Sequence, residues 1–152
     1  MLSKRQILVA SLAALILAPL AEADMVMKRS HAKMDMPAND QVHPLEGLVF
    51  GSPEVESVAE ITSIRLKSLP DESAERVKVV WVVTMSNTRA TTQVVIFAIT
   101  LRDEQGKRLA TGRGRLSIAT ATFDKEYQVK MKVKAAAWQA SSKVELEASW
   151  IG

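Results

Sequence analysis

Six side chains near the start of this sequence carry donors that soft metal ions accept: Met25, Met27, His31, Met34, Met36 and His43. They fall within Asp24 to Pro44, a stretch that holds four of the seven methionines and both histidines. Thioether-rich ligand sets select copper(I), so Met-x-Met followed by His-x-x-Met-x-Met points to a copper(I) site on which several ligands converge. The competing reading is packing. Methionine is a flexible apolar filler, and Met27, His31 and Met34, at helical spacing, could pack on a core or fray in solvent. Packing is the more ordinary of the two.

A second set is cationic. In "EYQVKMKVKA" the alternation puts Lys130, Lys132 and Lys134 on one strand face, with Arg113 and Arg115 available to extend the row. Such a row attracts an anionic glycan, a lipid headgroup or an acidic protein. The alternative is that the lysines keep an exposed strand from pairing edge to edge, with Glu145 and Glu147 standing across from them. Trp81 lies mid-strand and is expected in the core. Trp138, in the loop-like or helical "AAAWQA", is the better candidate for an exposed contact.

No catalytic residue is expected. With no cysteine and both histidines in the opening stretch, there is neither a thiol nucleophile nor a histidine held in a rigid triad. Asp103, Glu104, Asp124 and Glu126 sit at expected turns or strand ends, and no phosphate loop or serine elbow appears. These observations point away from an enzyme.

The chain that must position these groups has 152 residues, 47% of them apolar and 24% charged, enough for one ordinary domain. A formal charge of +3 is spread over a chain with 17 acidic residues, which does not imply nucleic-acid binding. Residues 1–23 read as a signal peptide: Lys4 and Arg5, an apolar run from Ile7 to Leu20, then "AEA" before a cleavage point between Ala23 and Asp24. That run is shorter than the roughly 20 residues a spanning helix needs, and no second long one follows, so no stable membrane insertion is expected after cleavage. The expected location is periplasmic or secreted. Without cysteine, the core alone must hold the domain together.

Residues 24–53 lack periodicity and contain Pro37, Pro44 and Pro53, which suggests a Met/His-rich flexible leader that becomes ordered near "LEGLVF". From residue 54 the texture changes to β-branched runs between polar turns. "RVKVVWVVTMSN" is apolar at its centre on both faces, as an interior strand is. "TTQVVIFAITLR" repeats the pattern after "SNTRA", which reads as a hairpin connection. "DEQGK" supplies another turn, and Gly112 and Gly114 suggest a bulge or bend in the returning strand. "VAEITSIRLKSL" changes parity between Ile61 and Ile64, leaving its register open. With no long helix, these segments predict an all-β, antiparallel immunoglobulin-like or fibronectin-like sandwich of about six or seven strands over residues 54–152.

Two resemblances add to this. The order from Val80 to Phe123, with Thr100-Leu101-Arg102-Asp103 before a glycine turn, resembles small bacterial immunoglobulin-like accessory domains of the FxLYD type, with Arg102 where a tyrosine is expected. Such domains are mostly binding or envelope-assembly modules without catalysis. "HAKMDMPAND" is similar to the mature start of the periplasmic copper-resistance carrier family, β-sandwiches that use an N-terminal histidine with methionines. The expectation is therefore an exported, non-catalytic binding or envelope-assembly module whose partner is a protein or an anionic envelope component. The alternative is a periplasmic copper(I)-binding protein using the Met/His leader.

Overall fold

A computed structural model describes residues 27–52, 57–68 and 75–151. Strands cover most of them: β1 (Met27–Asp35), β2 (His43–Pro44), β3 (Val49–Ser52), β4 (Ser57–Ser68), β5 (Arg76–Asn87), β6 (Gln93–Arg102), β7 (Arg108–Ile118), β8 (Thr122–Lys134) and β9 (Lys143–Ile151). One short helix, α1 (Ala135–Ala140), joins β8 to β9. The expected signal peptide, its cleavage point and Met25 lie outside the described residues. No helix among the described residues is long and apolar enough to cross a membrane.

Two antiparallel sheets pack face to face, as the alternation predicts. The first runs β1-β9-β6-β7; the second runs β2-β4-β5-β8, with β3 also on β4. In the layout of an immunoglobulin-type sandwich, β4, β5 and β8 correspond to strands A, B and E, and β6 and β9 to C and F. The place of strand G, beside F, is filled by β1, which precedes all of them in the chain.

The core is made by the inward positions of both sheets. Val77, Val79, Trp81, Val83 and Met85 of β5 face Val95, Phe97, Ile99 and Leu101 of β6 and Val144, Leu146 and Trp150 of β9, all essentially inaccessible to water. Fully burying each such side chain stabilises the fold by about 1.5–3 kcal/mol. Trp81 is in the core as expected, and β5 is an interior strand between β4 and β8. The parity change in β4 is a register shift between Ile61 and Ser63, which returns Ile64 and Leu66 to the core.

Four expectations are corrected. The leader assigned to residues 24–53 contains β1, nine residues paired along β9, because Ala32 and Met34 supply an inward face at a period of two and not at helical spacing. "SNTRA" is not a hairpin: β5 and β6 lie in different sheets, so it crosses the sandwich. At that crossing Asn87, fully buried, donates through Nδ2 to the carbonyls of Thr91 (3.0 Å), Ile118 (2.9 Å) and Ala119 (3.2 Å). Its Oδ1 accepts the Arg89 N–H at 3.0 Å.

Gly112 and Gly114 make no bulge, since β6 and β7 stay in register through them. They let β7 lie close over β8 instead: a Cβ on Gly112 would stand 2.7 Å from the Cβ of Met131. The β6–β7 hairpin does form as read from "DEQGK". Asp103 accepts the N–H groups of Gln105 (3.0 Å) and Lys107 (2.9 Å), and Gly106 takes a φ of 81°. Trp138, finally, is buried on α1 and belongs to the core cluster, so it offers no exposed contact.

Candidate functional site

Alternation along the first sheet sends a second set of side chains outward, and the register aligns them in rows. One row reads Arg29, Ser149, Ile96, Arg115 across β1, β9, β6 and β7; the next reads His31, Glu147, Ala98, Arg113; the next Lys33, Glu145, Thr100, Thr111. The middle strands bring Ala98, Thr100 and Ser149 beside Arg102, Glu145 and Glu147, while the outer strands bring Arg29, Arg108 and Arg113. The result is a trough of about 400 Å³ with Ala98, Thr100 and Ser149 in its floor and Arg29 and Arg113 on opposite walls. Three strand spacings separate those walls, about 14 Å between backbones.

Of the two carboxylates in the trough, Glu145 is held by an arginine and Glu147 lies near a histidine. Arg102 Nε donates to Glu145 Oε2 at 2.5 Å, while its Nη1 donates to the Gly106 carbonyl at 2.9 Å, so the hairpin turn holds this arginine in place. Glu147 Oε2 lies 3.7 Å from His31 Nδ1, a pair about half exposed. The guanidinium groups of Arg29, Arg108 and Arg113 have no ion-pair or hydrogen-bond partner among the described residues. Four arginines against two glutamates give the lining a surplus of positive charge. A planar guanidinium presents paired N–H groups that match a carboxylate or phosphate, so three free ones around a floor of small residues suit an anionic ligand.

The expected metal ligands whose side chains are among the described residues are not gathered. In a strand, neighbouring positions face opposite ways, so His31 points outward while Met34 points into the core and is 8% exposed. Met36 packs against the core, and His43 lies on β2 in the other sheet, opposite Ile64. Met27 pairs by its backbone with Ile151; its side chain lies outside the described set. No group of three or more His, Asp or Glu among the described residues is placed to hold a metal ion.

The cationic row is also divided. Arg113 and Arg115 belong to the outer face of the first sheet, whereas Lys130, Lys132 and Lys134 belong to the outer face of the second. Glu145 and Glu147 do not face those lysines, because β9 is in the first sheet. Sequence reasoning found Arg113, set Glu147 against the lysines instead, and passed over Arg29 and Arg108. Each is one charged residue on a separate strand, and only the register joins them.

Tyr127 lies at the inner margin of β8, where burial pushes its phenol above the usual 10.0. Its hydroxyl reaches the Ser117 carbonyl at 3.4 Å, across the seam between β7 and β8. The chain matches no known family model and no curated protein.

Proposed function

We propose that this protein is an exported, non-catalytic binding module that holds an anionic group of its partner in the trough on the outer face of β1-β9-β6-β7. The observation that carries this reading is the set of three unpaired arginines, Arg29, Arg108 and Arg113, around a floor of small side chains. An arginine left without a carboxylate, beside a Glu145 already engaged by Arg102, retains its full capacity for a bidentate contact with a ligand oxyanion. The carboxylates and the histidine serve here to position the floor and limit the ligand's charge and width.

The test is a calorimetric titration with small dianions and acidic peptides, beside the Arg29→Ala, Arg113→Ala double variant. Binding that the double variant loses supports the reading. No binding across the panel, or hydrolytic turnover of a substrate by the purified protein, would overturn it.

A further inference from the structure

The outer face of the second sheet carries a different signal. In the β5–β8 register Arg76 stands opposite Lys134, Lys78 opposite Lys132 and Val80 opposite Lys130. Five cations therefore share one end of a sheet face, two pairs of them directly opposed. Like charges so placed destabilise a sheet, with Cβ atoms only about 4.5–5.5 Å apart. None of the five has an ion-pair partner among the described residues. The other half of the same face is balanced: Arg65 pairs with Glu126 at 3.0 Å and with Asp40 at 3.6 Å.

Protection of a sheet edge accounts for only part of this. β8 is an edge strand, so Lys130, Lys132 and Lys134 can serve to discourage pairing with another chain. Arg76 and Lys78 lie on β5, which has β4 on one side and β8 on the other and so presents no edge. Their charges add repulsion without that benefit. A shallow depression of about 430 Å³ lies among Lys78, Val80, Lys130 and Lys132, wide enough to admit a phosphate group between ammonium ions.

We propose that this end of the β5–β8 face docks on an anionic phospholipid surface, with Arg76, Lys78, Lys130, Lys132 and Lys134 contacting the headgroups. A sheet face holds its side-chain tips near one plane, which suits a bilayer surface, and lysine stems can lie along Val80 while their ammonium groups reach outward. A single-stranded nucleic acid would call for stacking platforms among the cations, yet Trp81, Trp138 and Trp150 are all buried, and the exposed Phe123 stands at the opposite end of β8 from Lys130, Lys132 and Lys134. The docking face and the trough are on opposite sides of the sandwich, so the inference stands apart from the proposed ligand site.

The experiment is sedimentation of the protein, as processed and purified from an expressing bacterium, with vesicles of neutral phosphatidylcholine or of phosphatidylcholine with one-third phosphatidylglycerol. The informative variant is Lys78→Glu, which converts an opposed like-charge pair into an ion pair with Lys132 and should keep or raise the melting temperature. Preferential binding to the anionic vesicles that weakens by about fivefold or more in this variant, and fades at high salt, is the expected result. Equal binding to both vesicle types, or anionic binding untouched by Lys78→Glu, would overturn the proposal. Tighter capture by a DNA duplex or a polyanionic glycan than by the vesicles would overturn it as well. The assay contains none of the small ligands used for the trough, so either reading can fail alone.

Discussion

Gly112 of β7 lies directly over Met131 of β8, and the same methionine sulfur accepts the Trp81 indole N–H at 3.2 Å. One missing side chain on the first sheet thus sets how closely a core tryptophan of the second is packed. Gly112→Ala would put a Cβ 2.7 Å from the Met131 Cβ, too close to the backbone for a side-chain rotation to relieve. We expect a loss of about 1–3 kcal/mol in urea unfolding, together with a change in tryptophan fluorescence. Gly114→Ala, where the nearest atom stands at an ordinary 3.6 Å, should cost less.

Asn87 ties the crossing between the sheets by offering two protons to three carbonyls. Asn87→Ala should destabilise by about 2–3 kcal/mol, since buried carbonyls lose their donor. Asn87→Asp should be worse at neutral pH, because a buried carboxylate facing carbonyl oxygens is desolvated and repelled. That repulsion raises its pKa, so the extra loss should shrink as pH falls and the acid takes up a proton. Denaturant midpoints of both variants at pH 5 and 8 would check this; equal midpoints at both pH values would contradict it.

Much of the sandwich was legible because alternation is a local signal. In β5, β6, β8 and β9 the inward residues are those the period of two selects, from Val77 to Trp150. Sheet membership was less legible: "SNTRA" has hairpin composition, yet Asn87 uses it to cross layers. β1 was hidden because its outward residues include Arg29, His31 and Lys33, while its inward face has only Ser30, Ala32 and Met34 to announce it. The trough was least legible of all, since its residues come from four strands, β1, β6, β7 and β9, and only pairing brings them together.

Met34 separates a leader from a strand by a stability measurement. On a free leader, Met34→Ala would leave unfolding unchanged. In β1, where the side chain is 8% exposed and belongs to the core, the change should cost about 2–4 kcal/mol, while Met34→Leu should cost under about 1.5. A shift in urea midpoint with unchanged slope is the expected observation.

Tyr127 governs part of the alkaline limb. Its folded-state pKa is raised above the ordinary 10.0, so the protonated phenol is favoured by folding. That contribution is complete below the unfolded value and is lost as pH rises through the raised one. Melting temperature should therefore fall more steeply above pH 10 in the wild type than in Tyr127→Phe. As the chain's single tyrosine, it can also be titrated directly by ultraviolet absorbance.

The placement of β1 makes the first sheet depend on a contact between distant parts of the chain. Met27 pairs with Ile151, so completing the first sheet closes a loop of about 120 residues. Contacts so far apart in the chain form slowly, because the ordering cost of the loop precedes any gain from the pairing. A chain delivered from its amino end presents β1 early, yet its strand partner, β9, is the last of the described strands to follow. During that interval both strands keep bare backbone edges, the state in which β proteins are most exposed to pairing with one another. β1 is thus a clasp drawn from one end of the described chain onto a strand at the other.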